Sequence, residues 1–200
     1  MKIVHKISII ILIISIIFFI FYYKKFFSGN NISIKNKEEI IENILNGKIE
    51  YEAKIKVKII SNKNENVYEI KQKENKKESY QEVISKGDIE GLKIFCTENV
   101  LKVENSKLNI EKVYDNYDIL TNDYLFLNNF AKDYFKDKKA DINEVGEKII
   151  INVEIENSNK YIKYKELYLD KNTGKPIKMI IKDSDKHVRA CIEYINIEIL

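Results

Sequence analysis

Residues 48–59 read KIEYEAKIKVKI, so that Ile49, Tyr51, Ala53, Ile55, Val57 and Ile59 alternate with Glu50, Glu52, Lys54, Lys56 and Lys58. A side-chain period of two places the apolar residues on one face of an extended strand and the charges on the other. Such a strand belongs to a sheet with one covered face and one wet face, which is the antiparallel habit.

The same grammar recurs along the chain. Val67–Gln72, Tyr80–Ile84, Leu92–Cys96, Val100–Val103 and Leu108–Val113 read as short strands. Turn-rich separators divide them: Asn75–Glu78, Gly87-Asp88, Glu98-Asn99 and Asn105-Ser106. Further on, Ile149, Ile151, Val153 and Ile155 alternate with Lys148, Asn152, Glu154 and Glu156, and Tyr161–Leu169, Ile177–Lys182 and Val188–Ile199 follow as strands. Asp170–Gly174 and Asp183–Asp185 are the turns between them. In Tyr161–Leu169 the apolar phase slips from Ile162 and Tyr164 to Leu167 and Leu169, and a bulge or strong twist near Lys165 would absorb the slip.

Two stretches change to a helical period. Asn36 and Glu39 make a capping-box pattern before Ile40, Ile41, Ile44 and Leu45, with Gly47 placed to end the helix. Tyr124–Phe135 sets Leu127, Phe130, Ala131 and Tyr134 on one face, with Asn122 or Asp123 as cap. About nine or ten sequential strands make a wide sheet that must curl. The two helices are the available cover for its apolar face. The expected fold class is α+β: a curved antiparallel half-barrel with helices on the concave face, preceded by one N-terminal transmembrane helix.

That last element rests on Ile7–Tyr23, 17 residues without a charge between Lys6 and Lys24. It approaches the length a bilayer requires. Ile7, Ile11, Ile14, Phe18 and Phe21 are its apolar body, and Tyr22 and Tyr23 sit at the interface level. A cleaved signal peptide needs small residues at the cut, whereas Lys24–Gly29 is charged and bulky. A lipoprotein signal needs a Cys directly after the apolar core, and the cysteines are Cys96 and Cys191. The expected organisation is a membrane anchor over residues 1–25, a tether over 26–35 and an extracytoplasmic domain over 36–200.

The anchor also explains the net charge of +3. Its lysines are Lys2, Lys6, Lys24 and Lys25, with no acid among them. The body is then close to neutral, with a single arginine, Arg189. A nucleic-acid partner is therefore not expected, because the body has no basic excess.

Catalytic residues are scarce. The histidines are His5 and His187. His187 and Cys191 share a strand face at a separation of ~13 Å, too far for a nucleophile–base pair. No metal-ligand spacing of the C-x-x-C or H-x-x-x-H kind occurs, so neither a metal nor a cofactor is expected. Cys96 and Cys191 could bridge outside the cytoplasm, but two small core hydrophobes is the favoured reading. The Tyr content is the remaining signal, since Tyr combines apolar area with a hydroxyl. Tyr114, Tyr117 and Tyr124 are candidate interface residues. Phe126, Leu127, Phe130 and Tyr134 are candidates to plug or line a cavity on the concave face.

An ordered series of motifs adds to this reading. Val67–Gln72, Tyr80–Val83, Gly91–Ile94, Leu101–Asn105 and Leu108–Ile110 are followed by Tyr114–Tyr117, Asn122–Leu125 and Leu167–Pro176. Together, over roughly residues 37–199, they resemble the germination lipoprotein GerS family of spore-forming anaerobes. The resemblance implies a fold like the lipoprotein carriers LolA and LolB and a non-enzymatic role. It also implies a protein partner, an N-acetylmuramoyl-L-alanine amidase of the cell wall that modifies the spore cortex. One departure stands out, since the lipidated Cys is replaced by the apolar N-terminal segment. The alternative reading is a lipid or lipoprotein carrier that holds an apolar ligand in the concave face. Monomer and homodimer both remain open.

Overall fold

The computed structural model describes residues 41–42, 44–45, 49–75, 77–97, 99–116, 124–137, 140–155 and 160–200. The chain divides into two compact units, Met1–Lys35 and Asn36–Leu200, and every described residue belongs to the second. The expected anchor residues Ile7, Ile11, Ile14, Phe18, Phe21, Tyr22 and Tyr23 lie outside the described residues, as do Asn36, Glu39, Gly47, Tyr117, Asn122 and Asp123. Among the described residues no helix is long and apolar enough to cross a membrane.

Eleven strands form one antiparallel sheet: β1 (Tyr51–Ile60), β2 (Glu65–Glu74), β3 (Glu78–Val83), β4 (Lys93–Thr97), β5 (Val100–Asn105), β6 (Ile110–Asp115), β7 (Asp141–Val145), β8 (Lys148–Glu154), β9 (Tyr164–Asp170), β10 (Pro176–Lys182) and β11 (Val188–Ile199). The spatial order is β6-β5-β4-β3-β2-β1-β11-β10-β9-β8-β7. Two meanders, β1–β6 and β7–β11, are therefore joined where the first strand pairs with the last. One helix, α1 (Leu127–Lys136), stands in the connection between β6 and β7, the two edges of the sheet. A connection between opposite edges must cross a face, and α1 lies on the apolar one.

The period-two pattern accounts for the covered face. Tyr51, Ala53, Ile55 and Val57 are buried along β1, while Glu52 and Lys56 are exposed. Ile149, Ile151 and Val153 of β8, Leu167 and Leu169 of β9, Met179 and Ile181 of β10, and Ala190, Ile192 and Tyr194 of β11 join the same cluster. Ile41 and Leu45, in helical backbone, and Phe126, Leu127, Phe130 and Ala131 close it from above. On the wet face, opposite charges meet across strands: Lys54–Glu69 at 2.8 Å, Lys58–Glu65 at 2.6 Å and Lys73–Glu52 at 2.5 Å.

Several expectations are corrected. Strand β7 is additional, because DINEV has no apolar alternation and only Ile142 is not fully exposed. Ile59 does not continue the buried row of β1, since it lies near the strand end and is exposed. Helix α1 begins at Leu127, not Tyr124, and its N-cap is Phe126 with no side-chain cap bond. No bulge occurs at Lys165, for β9 pairs with β8 in continuous register from Lys148↔Asp170 to Glu154↔Tyr164. Lys165 instead takes the inward position next to Leu167 and Leu169. Register shifts occur elsewhere, one between Pro176 and Lys178 against β9, one between Ile181 and Lys182 against β11, and one in β11 against β1, where Tyr194 pairs with Ile55 and Asn196 with Lys54, leaving Ile195 as the extra residue. The insertion at Ile195 lets Tyr194 and Ile197 both face the core.

The turns follow their side chains. Asp170 Oδ1 accepts from the N–H groups of Asn172 (3.1 Å) and Thr173 (2.7 Å) and from Thr173 Oγ1 (2.8 Å). Gly174 then takes φ +74°, where a Cβ would be strained.

Candidate functional site

The covered face is closed by polar contacts as well as apolar ones, and these define the first candidate site. Helix α1 has no local cap, so its first N–H groups need partners from elsewhere. The Tyr51 hydroxyl, 76 residues away in sequence, accepts from the Leu127 N–H at 3.2 Å and donates to Gln72 Oε1 at 2.7 Å. Gln72 Nε2 in turn donates to the Leu125 carbonyl at 3.3 Å. Asn128 pairs with the backbone of Ile49 in both directions: Oδ1 accepts from its N–H at 2.6 Å, and Nδ2 donates to its carbonyl at 2.9 Å. The sheet thus caps and clamps the helix.

Lys165 is the centre of the second contact. Its side chain is wholly out of solvent. The ammonium donates to Asn129 Oδ1 and, at 2.6 Å, to Asp133 Oδ2, and it stands 5.2 Å from the Tyr124 ring centroid. A buried ammonium is tolerated only when it is paired and hydrogen-bonded. Residues i and i+4 on one face of α1, Asn129 and Asp133, supply that pairing.

This geometry places the residues singled out by sequence. Phe126, Leu127 and Phe130 are buried together on the inner face, while Tyr134 is half-buried and meets Phe135 edge-on at 5.2 Å. Tyr124 belongs with Lys165 near α1, whereas Tyr114 is 47% exposed on edge strand β6. None of Lys165, Asn128, Asn129, Asp133, Tyr51 and Gln72 is among the site residues expected from the sequence. For Lys165 the available signal was its inward phase, two residues before Leu167.

The β10–β11 hairpin carries the remaining polar cluster. Asp183, Asp185 and His187 offer ligand atoms within 4.8 Å of one another. Both oxygens of Asp183 are committed. Oδ1 accepts from the N–H groups of Asp185 at 3.0 Å and His187 at 2.8 Å, and Oδ2 is held by Arg189 Nε at 2.8 Å and Nη2 at 2.7 Å. Burial pushes the Asp183 carboxyl up, but the His187 N–H and Arg189 outweigh it and hold it below the ordinary Asp value. A cation would have to displace Arg189, so the cluster reads as a hairpin lock. His187 is exposed, with Nδ1 3.5 Å from Asp183 Oδ2.

Neither Cys96 nor Cys191 is in a disulfide. Cys96 faces the covered side opposite Ser79 and Leu101, and Cys191 faces the wet side opposite Lys58 and Ile180. Four strand spacings, about 19 Å, separate β4 from β11, so the pair cannot bridge. Burial, and then Glu193, push the Cys191 thiol up, which disfavours the reactive thiolate.

Comparison with known proteins places this architecture. The CwlD amidase–GerS lipoprotein complex from Clostridioides difficile contains a similar chain, at 23% identity and TM-score 0.52, covering 82% of this chain and 96% of that one. An uncharacterized conserved protein from Thermus thermophilus matches at 12% identity and TM-score 0.51, over 82% of this chain and 87% of that one. A LolA superfamily protein from Nitrosomonas europaea is more distant, at 10% identity and TM-score 0.43, over 82% and 93%. No curated protein matches the sequence. The family model described as "Sporulation protein YdcC-like" matches residues 6–199, nearly the whole length, and the chain belongs to that family.

Proposed function

We propose that this protein is a non-enzymatic, membrane-anchored member of the sporulation machinery that acts through protein–protein contact, as GerS does with the CwlD amidase. The observation that carries the reading is the shared sheet-and-helix architecture with that complex, over 82% of this chain. The partner is a cell-wall amidase of the N-acetylmuramoyl-L-alanine class. The apolar segment Ile7–Tyr23 holds the protein in the membrane, with the domain outside the cytoplasm. The filled interior supports binding at the outer surface, since Phe126, Leu127 and Phe130 occupy the covered face where a carried lipid would have to sit.

Co-purification of the full-length protein, in detergent, with the amidases of its own genome tests this. A stable complex with one of them is the expected result, and failure with all of them would sink the amidase reading. Native mass spectrometry of the same preparation addresses the carrier alternative. A stoichiometric co-purified lipid would favour that alternative over protein contact.

A further inference from the structure

The turn between β5 and β6 walls a pocket of about 360 Å³, a volume in the range of small-ligand sites. Its floor is rigid. Asn105 is 1% exposed, and every polar atom of its carboxamide is used. Nδ2 donates to the Glu90 carbonyl at 3.0 Å, and Oδ1 accepts from the N–H groups of Lys107 at 2.9 Å and Leu108 at 3.1 Å. One side chain thus pins the β3–β4 connection to the β5–β6 turn, and a Lys107–Glu90 ion pair at 3.0 Å repeats the link. Gly91 gives the pocket a bare backbone wall, since a Cβ there would meet nothing within 4 Å. Asn109 ends the turn at φ +51°, a conformation Asn adopts more readily than most side chains.

The polar groups around the pocket are unevenly committed. On the wet face of β1 and β2 opposite charges meet, but here Glu104 stands directly opposite Glu111 across β5–β6. Such a like-charge pair is destabilising unless a cation holds it. Lys102 does so, at 2.8 Å from Glu104 Oε2 and 3.3 Å from Glu111 Oε1, and it keeps the Glu104 carboxyl below its ordinary value. Two ionised carboxylates therefore lie side by side as acceptors. Lys93 is 4.0 Å from Glu104 Oε1, beyond hydrogen-bond length, so its ammonium stays open to an anionic group. The Ser106 hydroxyl and the Asn109 carboxamide also line the pocket and make no side-chain hydrogen bond among the described residues.

We infer that this pocket binds an amino-sugar carrying a free carboxylate, the group left on a glycan chain when an amidase removes its peptide. The sugar carboxylate meets Lys93, ring hydroxyls donate to Glu104 and Glu111, and the acetamido group meets Ser106 and Asn109. The choice of sugar rests on the amidase reading. Hydrolysis of an N-acetylmuramoyl–L-alanine bond adds water across the amide, leaving a carboxylate on the sugar's lactyl group and an amine on the peptide. The peptide product fits less well, because Lys102 and Lys93 already balance the two glutamates and leave little pull on its ammonium. The protein thus holds the product glycan beside the enzyme that makes it.

The test titrates the full-length protein in detergent with N-acetylmuramic acid, followed by amide NMR shifts. Saturable shifts at Gly91, Lys93, Ser106 and Asn109 with a millimolar Kd are expected. N-acetylglucosamine, which lacks the lactyl carboxylate, should bind roughly 10-fold more weakly, and Lys93→Gln should weaken binding of the acid by a similar factor. Asn109→Gly keeps the positive φ while removing the carboxamide, so it should weaken binding with an unchanged circular dichroism spectrum. No shift at tens of millimolar, shifts elsewhere, equal binding of N-acetylglucosamine, tighter binding of the dipeptide L-alanyl-D-glutamate, or full affinity in Lys93→Gln would each overturn the inference. An amidase complex whose pocket takes no sugar would leave the proposed function standing and sink this site. Carboxylate-dependent sugar binding without any amidase complex would do the reverse.

Discussion

Lys165 Nζ lies 2.6 Å from Asp133 Oδ2, and the lysine side chain has no contact with solvent. This pair ties the start of β9 to the second turn of α1. Its energetics are asymmetric, because breaking a buried pair costs more than replacing it whole. Asp133→Ala strands a buried ammonium and should cost about 3–5 kcal/mol. The double variant Lys165→Met/Asp133→Leu should recover most of that loss. Urea unfolding of the single and double variants checks the order, and a double variant no better than Asp133→Ala would refute it.

Two buried tyrosines should respond oppositely to the same change. In Tyr51→Phe the Leu127 N–H and Gln72 Oε1 both lose a buried partner, for an expected loss of about 1–3 kcal/mol. Faster hydrogen exchange at the Leu127 amide should accompany it.

The Tyr194 hydroxyl is buried with no hydrogen-bond partner. Burial, with Glu74 nearby, pushes its pKa far up. Tyr194→Phe should therefore leave stability unchanged or raise it by up to about 1 kcal/mol. A measured loss as large as that of Tyr51→Phe would contradict this assignment.

Asp183 sets a pH dependence at the β10–β11 hairpin. Its carboxyl is held below the ordinary Asp value of 3.8, so the folded state favours the ionised form. A lowered folded value means the stabilisation is fully present above 3.8 and is lost as pH falls through the folded value. Thermal melts should be flat in this respect at pH 5–7 and fall more steeply in acid. Asp183→Asn should be less stable at neutral pH and show a shallower acid slope. A parallel acid slope in both proteins would exclude Asp183 as the cause.

The alternation along Tyr51–Val57, Ile149–Val153 and Ala190–Tyr194 was legible in the residues, because side-chain period is a local property of an extended chain. So was the amphipathic run that became α1, although its start was misplaced. The capping partner of Leu127 is Tyr51, and no local motif announces a cap that comes from a distant strand. Strand β7 was missed for a related reason: an edge strand exposed on both sides has no apolar phase to read.

By itself, then, the sequence determined which residues would be covered and which wet, and that the sheet would be antiparallel and wide. Only the tertiary structure decided that the first strand pairs with the last. It alone decided that α1 crosses between the two edges, and that an inward-phased lysine is buried, not displaced by a bulge. The physical reason is the range of the forces involved. Periodic burial is encoded residue by residue. Strand partners and the satisfaction of buried N–H groups, carboxylates and ammonium groups depend on chain segments brought together only when the sheet closes over its core.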